Sequence, residues 1–393
     1  MVLCLGLGIG CMLRGAVSSD QEKLAQANTD FAFKLLQELV REQPGKNIFI
    51  SPYSISTVLQ MVRNGAAGET KTELDRVLGT TNFAPANLAQ AYAEIANSLK
   101  KGSTNTVLDI ANSIWFAPNV QLKPEFAALN REVYGATVGP LDFTDPRSSG
   151  IVNAWASQNT HGKIAEVVRG PLSGLTGALI VNAVYFKGMW ASRFDPVKTK
   201  DRAFKLVGGK EKQVPMMENS GEFAYFDTGA YQIIRLPYQD RRLGMYILLP
   251  SVEGRVAKLS GEMDGARWRT NLLAGLNDKS GRIILPHFTL EYEAELNRPL
   301  STLGVNHAFK GDAAFTGISE ESLFIERIKQ KTFVKVDEEG SEAAAVSSLK
   351  LFIKRAGPRD QPFTMIVDRP FLCVISDQET GSILFLGMVQ DPG

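Results

Sequence analysis

Few residues in the 393-residue chain could do covalent chemistry, and their spacing points away from it. The three histidines, His161, His287 and His307, stand apart. None belongs to an H-E-x-x-H pattern or lies beside a cysteine or carboxylate at metal-ligand spacing. There is no G-x-S-x-G elbow, no G-x-x-x-x-G-K-[ST] phosphate loop and no C-x-x-C pair. Of the three cysteines, Cys4 and Cys11 fall in an apolar leader, and Cys373 sits in the apolar run Phe371–Ile375, where a buried, inert thiol is expected. The residues therefore imply no catalytic centre, no metal and no cofactor.

One stretch carries an unusual pattern instead, from Lys335 to Pro370. Between Ser341 and Ile353 every second residue is small or apolar: Ser341, Ala343, Ala345, Ser347, Leu349, Leu351 and Ile353. Such period-2 alternation is the mark of a strand with one buried face. Yet the segment opens with Asp337-Glu338-Glu339-Gly340, contains an alanine run of poor strand propensity, and ends in the loop-like Lys354-Arg355-Ala356-Gly357-Pro358-Arg359-Asp360. A segment patterned as a strand and punctuated as a loop is a candidate conformational switch.

The elements that must hold this stretch follow from periodicity. Helical spacing runs over 20–41, 54–64, 69–78, 86–101, 123–134, 147–161 and 256–274, and strand alternation over 106–116, 179–186 and 323–336. Residues 223–250 form a strand-rich meander, residues 282–290 carry a further apolar run, and 371–376 and 383–389 pair as a hairpin across 377–381. Composition is that of a globular protein, 44% hydrophobic and 22% charged with net charge +1. That balance argues against a nucleic-acid binder, since neutralising phosphates needs a concentrated basic face. The densest basic cluster, Lys198, Lys200, Arg202, Lys205, Lys210 and Lys212, reads as solvated surface. Residues 1–18 read as a secretory signal whose apolar run is too short to span a membrane, with Ala16-Val17-Ser18 as the cleavage pattern.

Three motifs and the C-terminal tail resemble the serpins. They are VDEEGSEAAAVSS from Val336, NIFISPYSIS from Asn47, NAVYFKGMW from Asn182, and the tail VDRPFLCVISDQETGSILFLGMVQDP. The resemblance spans Asp20 to Pro392, and the tail and hinge look most similar to secreted arthropod serpins such as those of ticks. It implies an α+β fold of one domain, residues 19–393, with a large central sheet, smaller sheets, about nine helices and an exposed reactive-centre loop over about 338–362. It implies a suicide inhibitor of serine proteases, whose loop is cut, traps the acyl-enzyme and inserts into the central sheet.

By the same resemblance, Glu338, Glu339, Gly340, Ser341, Glu342, Ala343, Ala344, Ala345 and Val346 form the hinge. Ser51, Ser54, Asn182, Trp190, His287 and Gln330 line the places where the sheet parts. Counted from Glu338, the reactive bond is Lys354–Arg355, with Arg355–Ala356 one residue on as the alternative and Arg359 as a third basic option. A cation there suits a trypsin-like protease with an aspartate in its specificity pocket. Phe352 would instead admit a chymotrypsin-like enzyme. No bulky, charged or proline residue replaces the small hinge residues, which argues against the rival reading of a non-inhibitory carrier or chaperone whose loop is only a substrate. His287 is expected to pair with Glu338. The helix over 86–101 offers only Lys100 and Lys101 to a polyanion, so at most a weak glycosaminoglycan contact is expected. A secreted, extracellular monomer with no membrane partner completes the reading.

Overall fold

The computed structural model describes residues 18–100, 106–172, 177–341 and 361–393. Its helices are α1 (Ser19–Glu42), α2 (Pro52–Arg63), α3 (Gly68–Leu78), α4 (Pro85–Lys100), α5 (Pro124–Tyr134), α6 (Ser148–Asn159), α7 (Val256–Glu262) and α8 (Asn297–Leu303). A π-helical segment, Arg267–Leu273, follows α7. The first seven strands are β1 (Ile48–Ile50), β2 (Thr106–Phe116), β3 (Thr137–Pro140), β4 (Ala178–Met189), β5 (Lys200–Lys205), β6 (Glu211–Asp227) and β7 (Tyr231–Pro237). They continue as β8 (Leu243–Pro250), β9 (Asn277–Pro286), β10 (Phe288–Glu295), β11 (Arg327–Val336), β12 (Gly340–Ser341), β13 (Phe363–Ile366), β14 (Phe371–Asp377) and β15 (Ile383–Val389).

Two sheets result. One has six strands in the order β10-β11-β12-β4-β2-β3, and the other runs β1-β15-β14-β8-β7-β6-β9-β13 with β5 on β6. The β14–β15 hairpin, buried on both faces, forms the floor against which α1 and α2 pack. Helix α1 begins where the Ser18 side chain accepts from the Gln21 N–H, and it buries Leu24, Phe31, Leu35 and Leu39 on its apolar stripe. Every residue of α2 is buried, its start set by Pro52 in the first turn. Helix α6 lies on the opposite face of the six-stranded sheet. There Val152, Ala156 and Ile164 pack on Trp115, Leu179, Val181 and Ala183 in a separate apolar cluster. The six-stranded sheet thus carries an apolar cluster on each face.

Two element boundaries differ from the periodic reading. The run over 256–274 divides into α7 and the π-helical segment, because Met263 turns extended after α7. The strand expected from Leu323 begins only at Arg327, since Leu323 and Ile325 pack in the core from irregular chain. Polar strands escaped altogether: β5 and the first half of β6 carry the basic cluster. Within it Arg202 pairs with Glu218 at 3.0 Å and Lys212 with Asp391 at 3.0 Å, and Lys205 pairs with Glu253.

Candidate functional site

The site is a seam. β4 and β11 run parallel and paired from Leu179 opposite Arg327 up to Tyr185 opposite Phe333. Above that point they part, and the two residues of β12 stand between them. Ser341 lies opposite Gly188 of β4 and opposite Val336 of β11, antiparallel to both. The chain reaches this position through a turn in which the Asp337 N–H donates to the Gly340 carbonyl at 3.0 Å. Gly340 fits where no other residue would, since a Cβ there would sit 2.0 Å from the Gly188 carbonyl oxygen. Ser341, wholly buried, shares a 2.7 Å hydrogen bond with the Tyr238 hydroxyl. Tyr238 is itself enclosed by a 4.8 Å stack on Trp190, and burial pushes its phenol far up.

Around the turn, β4 and the chain beyond it grip the acidic pair. The Trp190 indole N–H donates to the Asp337 carbonyl at 2.9 Å, the Trp190 backbone N–H to the Glu339 carbonyl at 2.9 Å, and the Phe194 N–H to the Glu338 carbonyl at 3.0 Å. The Glu338 carboxylate accepts from Thr199 Oγ1 at 2.5 Å and lies 2.9 Å from His287 Nε2. Burial pushes the Glu338 carboxyl up, but Thr199, its own backbone N–H and His287 outweigh burial and hold it below the usual carboxylate value.

Deeper in the seam the chemistry changes to neutral amides. Asn112, Asn182 and Gln330 are register partners across β2, β4 and β11. They form a transverse ladder in which Asn182 Nδ2 donates to Asn112 Oδ1 at 2.8 Å and Gln330 Nε2 donates to Asn182 Oδ1 at 2.9 Å. Two serines tie it to the layer beneath. Asn182 Nδ2 also bonds Ser54 Oγ, the Ser51 N–H donates to Gln330 Oε1 at 2.8 Å, and Ser51 Oγ donates to the Leu384 carbonyl at 2.7 Å. All five side chains are buried.

The chain matches the family model "Serpin (serine protease inhibitor)" over residues 26–392. It belongs to the serpin family. Iripin-2 of the tick Ixodes ricinus is 32% identical over 378 residues, covering 95% of this chain and 94% of its own. Among solved structures, human thyroxine-binding globulin complexed with thyroxine superposes with a TM-score of 0.87 at 27% identity, covering 95% of this serpin and all of that chain. Native protease nexin-1 with heparin does so with a TM-score of 0.85 at 29% identity, with 95% and 100% covered.

The structure therefore brings together Ser51, Ser54, Asn182 and Gln330 in one cluster, and Glu338, Glu339, Gly340, Ser341, Trp190 and His287 in another. Glu342, Ala343, Ala344, Ala345 and Val346, and the reactive-bond residues Lys354, Arg355 and Ala356, lie outside the described residues. Sequence reasoning missed Asn112, Thr199 and Tyr238. Asn112 was signalled by a polar residue in the apolar run Ile110–Phe116; nothing local to Thr199 or Tyr238 betrays contacts 139 and 103 residues away. Cys373 is buried with its thiol pushed up to about 12, too high for a thiolate at neutral pH. Among the described residues no group of His, Cys, Asp and Glu could hold a metal, and no helix is long and apolar enough to cross a membrane.

Proposed function

We propose that this serpin is a secreted, monomeric suicide inhibitor of trypsin-like serine proteases, cut after Lys354 or Arg355. The observation that carries the reading is the seating of Gly340 and Ser341 between β4 and β11. Gly340 pairs with Met189 of β4, and Ser341, the first residue of the alternating stretch, pairs with both neighbours. Continuing that register turns Ala343, Ala345 and Ser347 to the buried face, and six residues on from Ser341 it sets Ser347 between Asn182 and Gln330. Insertion must break the hydrogen bond from the Gln330 carboxamide to Asn182 Oδ1. A hydroxyl, which both donates and accepts, can bridge the groups left apart. Small residues at the preceding inward positions pass without a bulky or charged group to bury.

Cleavage supplies the free end that insertion needs, and the acyl-enzyme bond drags the protease along before water releases it. The uncut protein is on this account kinetically trapped, short of its most stable state. Secretion is supported by the signal-like residues 1–18. Protease nexin-1, solved with heparin, supports a glycosaminoglycan contact for a relative; here the helix α4 ends in a single lysine, Lys100, with Lys101 next in sequence, which favours a weak one.

The test is incubation with trypsin, followed by a denaturing gel and mass analysis of the released C-terminal fragment. A covalent complex with a fragment beginning at Arg355 or Ala356 is expected. Cleavage in the loop with no complex would overturn the trypsin-inhibitor reading, and would favour a carrier such as thyroxine-binding globulin, whose fold this chain shares.

A further inference from the structure

The turn between β7 and β8 puts Tyr238 behind the hinge, and it has two sets of attachments. One set ties it to β4 and the chain beyond. The Gln239 N–H donates to the Met189 carbonyl at 2.9 Å, the Ala191 N–H donates to the Pro237 carbonyl at 2.9 Å, and Tyr238 bridges to Trp190. The other set belongs to Arg242, which fixes the turn to the β14–β15 hairpin. Arg242 Nε and Nη2 donate to the two carboxylate oxygens of Asp377 at 2.6 and 2.7 Å. Nη1 and Nη2 also donate to the carbonyl and hydroxyl of Ser98 in the last turn of α4, at 2.7 and 2.9 Å, and Glu379 lies 3.0 Å from Nη1. Every guanidinium nitrogen thus faces an oxygen at 3.0 Å or less.

Asp377 is a fixed post for this grip. Its side chain is wholly buried, and it also accepts from the Glu379 N–H, the Thr380 N–H and the Thr380 hydroxyl. A planar fork on a buried carboxylate fixes direction as well as distance. The turn itself carries that position on to Tyr238. Asp240 Oδ1 accepts from the Arg242 and Leu243 N–H groups, the Tyr238 N–H donates to the Leu243 carbonyl at 3.0 Å, and the Arg241 N–H donates to the Tyr238 carbonyl at 2.8 Å. Arg241 takes φ 56°, uncommon for a residue with a side chain, so the turn keeps its shape only while its surroundings hold it. The Tyr238 hydroxyl meets Ser341 at 2.7 Å. A displacement of about 1 Å at the turn takes that contact out of hydrogen-bond range.

We propose that Arg242 is a positioning residue for loop insertion: it acts through Tyr238, keeping the hydroxyl where Ser341 seats as the first residue of the incoming strand. With the grip loosened, the hinge leaves its seat more often and insertion starts later. More acyl-enzyme is then hydrolysed before the protease is carried away, and more inhibitor is spent as substrate. This consequence rests on the insertion reading, whereas the seating of the hinge does not.

The test compares wild type with Arg242→Lys, Tyr238→Phe and the double variant, all uncut. Lysine keeps a charge beside Asp377, which spares the fold an unpaired buried acid, but it cannot make the two-oxygen grip. Deuterium exchange of residues 338–341 is expected to be several-fold faster in each single variant, with the double variant no faster than Tyr238→Phe alone. Titration against trypsin then reads the consequence: about threefold more inhibitor consumed per trapped protease in each single variant, and no more in the double. Wild-type exchange in Arg242→Lys, a response to Arg242→Lys without one to Tyr238→Phe, or a double variant whose effect is the product of the singles would each overturn the role. Failure of every form to trap trypsin would instead count against the insertion reading, and the exchange pattern would still decide for or against Arg242.

Discussion

The two places where the seam is held differ in kind. At the lower level Asn112, Asn182 and Gln330 join three strands through neutral carboxamides, with serines beneath and nothing that titrates. At the upper level the hinge turn is held by a carboxylate, an imidazole, an indole and a phenol, and two of its residues are already seated as strand. The lower level is fully satisfied and must be broken before a strand can pass. At the upper level the strand has begun to form. A neutral ladder gives a barrier independent of pH, whereas the charged hinge makes the starting point sensitive to it.

The contrast would break first at Asn182. Replacing it with alanine leaves Gln330, Asn112 and Ser54 with buried, unpartnered groups, at a cost of about 3 kcal/mol. A thermal melt several degrees lower, by the same amount at pH 5 and pH 8, is expected; a loss that changed with pH would show that the lower level is coupled to a titrating group. A smaller effect sharpens the other side. Glu338 is depressed in the folded state, so its stabilisation is complete above the ordinary value of 4.5 and is lost as pH falls through its depressed value. The indole fluorescence attributable to Trp190, by difference from Trp190→Phe, should change as wild type is acidified below about pH 4.5. The change should vanish in Glu338→Gln, and a transition that persists there would assign it to another acid.

Much of this was legible in the chain because it is local. The β14–β15 hairpin announces itself as two apolar runs around Asp377–Gly381, and α1 by the spacing of its leucines and phenylalanines. The alternation that starts at Ser341 was visible for the same reason, as small or apolar residues at period 2, and it was the family resemblance that marked its start as a hinge. What escaped is polar or distant. β5 and the start of β6 carry charged residues on a half-exposed sheet, so no apolar alternation marks them. β12 is two residues long, and its existence depends on β4 and β11 having parted. Tyr238 meets Ser341 only because the β7–β8 turn, bridged to Trp190, stands behind the hinge. Local pattern fixes which segments can be strands; tertiary packing decides which of them find partners.

The central claim is that the space between β4 and β11 receives the alternating stretch as a new strand, and the melting temperature of the loop-cut protein tests it most directly. On the proposed reading, insertion would add a ladder of backbone hydrogen bonds on both edges and would bury Leu349, worth roughly 1.5 to 3 kcal/mol by itself. The cut protein is therefore expected to melt well above the intact one, with the C-terminal fragment still bound. A cut protein that melts at or below the intact temperature would contradict the claim, whatever protease had made the cut.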